Sequence, residues 1–278
     1  MAVPAFRTQY IEEYVPQFER GETPLRAACT TAASINGNTA VFLVAGSNDA
    51  EATTRGVNGL ITPRNNYNTQ NSCTLVESND LVEGTKFTWD LSQADQRRIA
   101  MESSTKVIYR KIDSQIIAQL DTATINDTAA TASLDKVTNA LAVLGNANVA
   151  IDEEDNMFGL ITPSFKSYLM QIPEFSSADY VEIKPFSGPA KKYLRWAGVN
   201  WITHPGLTGV GTSSEKCYLF HRDSIGHAAN TQGIDTDAGY DGRQAMYWAR
   251  SSVWCGAKLL QNTGVVQMLH DGSATALS

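Results

Sequence analysis

Between Thr85 and Leu144 the chain contains neither glycine nor proline. Those are the residues that most strongly break a helix, so the span constrains the fold more than any composition does. Inside it, Ser92 to Asp121 reads as one helix. Ser92 fits the cap position, and Asp95 three residues on fits a capping-box variant near the positive end of the helix dipole. Ala94, Met101, Ile108, Ile112 and Ile116 form one stripe at 100° per residue, while Ile99, Val107 and Ile117 lie off it. Such a helix is contacted on more than one side. Glu102 stands four residues before Lys106 in the favourable order. Arg97, Arg98, Lys106, Arg110 and Lys111 scatter around the cylinder, offset by Asp95, Glu102, Asp113 and Asp121. That pattern fits a solvated helix rather than a nucleic-acid groove.

The segments before the helix lack the means to form a core alone. In residues 1–34, Phe6, Tyr10, Tyr14 and Phe18 recur every fourth residue until Pro16 and Pro24 intervene, predicting a short helix and then an extended arm. The aromatic stripe needs a surface, either the protomer's own core or a neighbouring subunit. Residues 35–91 hold three strand candidates, NTAVFLVAG, SCTLVES and TKFTWDL. Between the first two runs RGVNGLITPRNNYNTQN, rich in turn-forming residues and long for a loop inside a compact domain. A long hairpin reaching outward is the expected form.

After the helix and a Thr/Ala-rich connector, SLDKVTNALAVLG reads as a second helix stopped by Gly145. The acidic DEEDN stretch, the strand MFGLI and a helix SFKSYLMQ opened by Thr162-Pro163 and ended by Pro173 follow. KYLRWAG, VNWITH and KCYLFHR are strands around a Gly-rich GLTGVGTSSE turn. This is an α+β module with its own core. The end, QAMYWARSSVWCGAKLLQNTGVVQMLHD, reads as two or three antiparallel strands turning at Asn262-Thr263-Gly264.

No catalytic constellation emerges. Asp152, Glu153, Glu154 and Asp155 are adjacent loop carboxylates that point apart and stay solvated. His204, His221, His227 and His270 are dispersed and structural. Gly206, Gly209 and Gly211 lack the GK[ST] of a phosphate loop, and Asp235, Asp237, Asp241 and Gly242 lack the Glu of a calcium loop. Cys29, Cys73, Cys217 and Cys255 form no close pair, so reduced thiols are expected and no zinc site. Asn126-Asp127-Thr128 matches a glycosylation pattern without meaning in a chain that is not secreted. The opening MAVPAFRTQY shows no secretory signal, and no apolar run is long enough to span a bilayer, so a soluble protein made in a cytoplasm is expected. A net charge of −7 argues against a protein that grips nucleic acid.

The order of segments resembles the major capsid proteins of tailed bacteriophages. The resemblance rests on MAVPAFRTQYIEEYVPQFERG as arm, the loop from about Asn38 to Asp90, SQADQRRIAMESSTKVIYRKIDSQIIAQLD as spine helix, GLITPSFKSYLMQ and CYLFHRDSIGHA, and the returning YWARSSVWCGAKLLQNTGVVQMLHD. It implies an α+β Hong Kong 97-like capsid fold with an N-terminal arm (1–34), an extended β-hairpin loop (35–91), a peripheral domain with the spine helix (92–132), an axial domain (133–235) and returning peripheral strands (236–278). It implies a non-enzymatic major capsid protein that self-assembles into an icosahedral shell of pentamers and hexamers around double-stranded DNA, without sequence-specific binding. Its place would be the virion capsid, after assembly in the host cytoplasm. Phe6, Tyr10, Tyr14, Arg55 and Arg64 would be inter-subunit contacts, the two arginines meeting a neighbour's carboxylates. No cofactor, metal or membrane is implied. Some members crosslink through a loop lysine, but here no lysine precedes Lys86. Some carry a large N-terminal scaffolding segment; this chain has no room for one, so a separate scaffolding protein, or assembly without one, is expected, together with a portal. The alternatives are an encapsulin-type shell, a tail or decoration protein, or a hydrolase using the 152–155 loop.

Overall fold

The computed structural model describes residues 24–32, 34–47, 50–65, 67–91, 95–153, 155–176, 194–229 and 233–275. In chain order they form β1 (Thr30–Thr31), β2 (Ser34–Asn36), β3 (Thr39–Gly46), β4 (Tyr67–Thr74), β5 (Val76–Thr85), α1 (Lys86–Leu91), α2 (Gln96–Leu120), α3 (Leu134–Asn146), β6 (Met157–Ile161) and α4 (Pro163–Leu169). Then come α5 (Pro173–Ser176), β7 (Leu194–Trp196), β8 (Val199–Thr203), β9 (Glu215–His221), β10 (Ile225–Ala229), β11 (Asp235–Asp241), β12 (Met246–Leu259) and β13 (Val265–His270). Two compact units divide them. The smaller holds Val76–Asp113 and Ala229–Cys255, the larger Pro24–Leu75, Ser114–Ala228 and residues from Gly256 onward.

The larger unit is built on a sheet of order β13-β9-β6-β8-β7. Every residue of β6 is buried, as a run without polar alternation requires. One face carries Met157, Ile161, Val199, Trp201, Leu219 and Met268, which share a core with Val137, Ala140 and Leu144 of α3 and Phe165 and Leu169 of α4. Trp201 lies flat over Gly159, where a methyl would come within 2.4 Å of the ring. Local chemistry starts both helices. The Ser133 hydroxyl accepts from the Lys136 N–H, and the Thr162 hydroxyl accepts from the Phe165 N–H beside Pro163.

The opposite face of this sheet holds the end of α2. The Gln267 side-chain amide donates to the carbonyls of Leu120, Asp121 and Ala123 at 3.2, 3.1 and 2.8 Å. These carbonyls stand at and just beyond the last turn of α2, where the Leu120 carbonyl also accepts from the Ala123 N–H at 3.1 Å, and β13 adds a side-chain donor to all three. Asp121 in turn accepts from the hydroxyls of Tyr218 and Thr208 and pairs with Lys216 at 3.1 Å. Burial pushes its carboxyl up, but the hydrogen bonds from Thr208, Tyr218 and Lys216 outweigh that and hold it below the usual carboxylate range.

The hairpin also belongs to the larger unit. β3 and β4 pair from Thr39 opposite Thr74 to Gly46 opposite Tyr67, with β2 added along β3. Its base is anchored by a small core of Ala40, Phe42, Leu75 and Ala228. The Phe42 ring fills the space a side chain at Gly226 would need. Short β1 pairs with β10 in parallel, Thr31 opposite His227. Burial, and behind it the Arg26 guanidinium, pushes the His227 imidazole down to about 4.

In the smaller unit β12 lies between β5 and β11 and is antiparallel to both. Residues 96–113 of α2 cover one face. The Ser104 hydroxyl donates to the Asp80 carbonyl at 3.3 Å, and the Arg97 guanidinium sits 4.4 Å from the Tyr247 ring centroid. Six buried positions of α2, Ala100, Ser104, Ile108, Ile112, Ile116 and Leu120, fall every fourth residue, and Asp113 and Ile117 are buried beside that stripe. At 3.6 residues per turn such a stripe advances about 40° per step and winds around the helix. That winding is why the apolar positions refuse a single face.

Several expectations need correction. TKFTWDL is helical from Lys86, not a strand. β5 loses its partner at the end of β12, and the Thr85 hydroxyl caps a turn by accepting from the Thr88 N–H at 3.3 Å. Trp89 then stacks on Tyr247 at 5.6 Å, close over Gly84. The long helix has 25 residues and begins at Gln96, with the Asp95 carboxylate accepting from the Arg98 N–H. Ser92 and Ala94 lie outside the described residues. SCTLVES is not one strand but the junction of β4 and β5 at buried Leu75. Gly145 does not stop α3. The helix runs to Asn146, and Asn148 takes the positive φ of 56° that turns the chain away. Pro173 opens α5 rather than ending α4. The terminal strands form no hairpin: β13 pairs with β9, whereas β12 pairs with β5 and β11.

Replacing Gln267 by Leu removes the side-chain donor shared by the Leu120, Asp121 and Ala123 carbonyls. The variant is expected to lose about 2 kcal/mol in urea unfolding at neutral pH. A His whose folded pKa is depressed makes the unfolded state the better proton acceptor. Stability of the wild-type protomer therefore falls as pH drops from about 6.5 toward 4, by about 2–3 kcal/mol for His227 alone. His227→Gln is expected to flatten the dependence between pH 7 and 4.5, leaving the smaller contribution of His270, whose imidazole burial also pushes down. An unchanged slope refutes the assignment.

Candidate functional site

The groups that sequence reasoning set aside as catalytic are held in structural or solvated roles. Asp152, Glu153 and Asp155 are exposed. Asp155 pairs with Arg195 at 2.8 Å, and Glu153 accepts from the Asn156 side chain. Glu154 lies outside the described residues. The His204 Nδ1 accepts from the Gly206 N–H, and the His221 Nδ1 from the Asp223 N–H. The His270 Nδ1 accepts from the Ala132 N–H, with its ring edge-on to Phe165 and Tyr168. Gly209 and Gly211 adopt positive φ in a turn that wraps buried Glu215, whose carboxylate accepts from the Gly211 N–H and the Thr162 hydroxyl, both at 2.6 Å. Asp235, Asp237 and Asp241 stand on β11 and not in a loop, and Asp235 lies 3.6 Å from Arg250. Among the described residues no cluster of His, Cys, Asp and Glu is arranged for a metal ion. None of the four cysteines is joined in a disulfide, and burial pushes the Cys217 thiol up to about 12.

What the larger unit does present is an uncovered apolar tip. Beyond the last pair of the hairpin, residues 50–65 are exposed throughout. Val57, Leu60 and Ile61 are fully or mostly open to water, and Leu43 and Tyr67 join them on the strands. The segment is held by its own turn: the Gly56 N–H donates to Leu60, the Gly59 N–H to Gly56, and the Arg55 guanidinium to the Gly59 carbonyl at 2.8 Å. Gly59 has φ of 72°, which a side chain tolerates poorly. Arg64 is also exposed. Arg55 and Arg64 thus sit on the outer part of the hairpin, while Phe6, Tyr10 and Tyr14 lie outside the described residues. The apolar tip was missed at the sequence level. Its signal was the GLIT run inside a stretch otherwise made of turn formers. Burying each such side chain is worth about 1.5–3 kcal/mol, so a tip of this kind is stabilised by a surface laid over it.

Residues 2–272 match the family described as "Phage capsid protein". No curated protein is similar in sequence. Among solved structures, the capsid of a native GTA particle superposes with a TM-score of 0.71 at 11% identity, covering 96% of both chains. A chain of Mycobacterium phage Che8 gives 0.70 at 14%, covering 96% of this chain and 98% of that one. An encapsulin complex from Synechococcus elongatus gives 0.66 at 14%, covering 95% and 94%. With its α+β layout, its long helix, its outward hairpin and this family match over nearly its whole length, the chain belongs to the phage capsid protein family, has the Hong Kong 97-like capsid fold and is a structural shell protein of the virion.

Proposed function

We propose that this chain is the main building block of an icosahedral shell, arranged as pentamers and hexamers, that encloses packaged double-stranded DNA. The observation that carries the reading is the exposed apolar tip of Val57, Leu60 and Ile61 on a hairpin that, among the described residues, has its core at the base. Closed symmetric assembly buries such a patch once per subunit, and many weak contacts then add to a stable lattice. In this reading residues 35–91 are the extended loop and residues 1–34 the arm. The spine helix (92–132) and returning strands (236–278) make the peripheral domain, and residues 133–235 make the axial domain. Arg55 and Arg64 meet carboxylates of a neighbour, and Phe6, Tyr10 and Tyr14 pack on another subunit. The protein works without catalysis. A net charge of −7 suits a wall that holds DNA loosely and reads no sequence. Assembly takes place in the host cytoplasm with a separate scaffolding protein and a portal.

The test is electron microscopy of the full chain expressed with its neighbouring phage genes, with nuclease-protected nucleic acid measured in the particles. Closed shells that protect DNA support the proposal. Shells that never contain DNA favour a cellular compartment, and a lone monomer under every condition sinks the reading. Leu60→Asp with Ile61→Asp is expected to change protomer stability by less than about 0.5 kcal/mol, because both sites are exposed, and to abolish shell formation. Normal shells from this variant would remove the hairpin tip from the assembly surface.

A further inference from the structure

The sheet of the smaller unit has two unlike faces. Register puts Tyr247, Ala249, Ser251 and Val253 of β12 on the side covered by α1 and α2. The alternate residues, with their cross-strand partners on β5 and β11, point the other way. On that outer face Leu81 is 54% and Trp254 52% exposed. Trp248 lies across Gly239, where a methyl would come within 2.6 Å of its ring, so the aromatic surface is laid flat along the sheet. Around these apolar groups stand Glu77, Glu83, Asp235, Asp237 and Asp241. The facing cation is Arg250, which stands beside Asp235 at 3.6 Å. Among the described residues of this face, no other cation offsets the carboxylates.

We propose that this face docks a cationic segment of a second protein, one carrying Arg or Lys side chains interspersed with apolar residues. The carboxylates attract the charges, Trp248 and Trp254 offer ring faces to guanidinium or ammonium groups, and Leu81 with Trp254 supplies the apolar contact. Nucleic acid is disfavoured by the same carboxylates. A second copy of this chain is a poorer fit: the cations of α2 are spread around the helix and make no matching stripe. The inference goes beyond the shell reading and does not depend on it.

The probe is a fluorescein-labelled peptide of Lys, Arg and Leu, with a twin in which Glu replaces each Lys and Arg. Binding to the full chain is read by anisotropy at low and high salt, on soluble protomers and on assembled particles. The expected result is saturable binding of the cationic peptide alone, weakened about tenfold or more by Glu83→Lys with Asp237→Lys and about threefold by Trp254→Ala. Asp152→Lys with Glu153→Lys, an equal charge change away from the sheet, is expected to leave binding within about twofold. Where the reversed pair does not fold, judged by circular dichroism, Glu83→Gln with Asp237→Asn carries the test, with about threefold weakening. Equal weakening by the 152–153 variant reduces the effect to net charge and overturns the proposal. So does absence of binding, or a folded Glu83→Lys/Asp237→Lys protomer that no longer forms shells, which would place the face between copies.

Discussion

The end of α2 is the constraint on which the larger unit depends. Carbonyls at and just beyond a helix terminus need donors from outside the helix, and those turned into the protein take them from other elements. Gln267 meets that need from β13, and Asp121 beyond the last turn is held by Tyr218, Thr208 and Lys216 from β9 and the turn before it. These contacts join the helix to the face of the central sheet opposite α3 and α4. Both faces of that sheet are therefore buried, and its strands carry nearly continuous apolar runs.

Away from that sheet the chain leaves more surface uncovered. Among the described residues the hairpin is packed at its base, around Phe42 and Leu75, and its tip turns on Gly56 and Gly59 with exposed apolar side chains. The sheet of the smaller unit is covered on the Tyr247 side and open on the Trp254 side. A protein selected to stand alone would blunt such surfaces with charge or cover them with a helix. In the proposed shell a neighbouring copy covers the hairpin tip, while the open sheet face is the one proposed to receive a cationic partner.

Much of the larger unit was legible in the residues. MFGLI, VNWITH and KCYLFHR were recognisable because fully buried strands need unbroken apolar runs, and Thr162-Pro163 and Ser133 mark helix starts by local hydrogen bonds. TKFTWDL has strand-like composition, yet the ladder that would have held it ends at Met246, and a threonine cap took over. β11 is polar and rich in aspartate because its outer face is open, and no strand was expected there. Arg55 and Arg64 are exposed beyond the last pair of the hairpin, and the apolar residues beside them drew no attention amid turn formers.

The sequence by itself determined the elements whose reasons are local: the Gly- and Pro-free helix, the capped starts of α3 and α4, and the buried central strands. Tertiary structure alone decided that β12 and β13 part into different sheets, that β5 lies against β12 rather than in the hairpin, and that one face of that sheet stays open. Those outcomes depend on pairing between segments far apart in the chain. Such pairing is selected by the closure of long loops and by complementary faces, neither of which any short stretch of residues encodes.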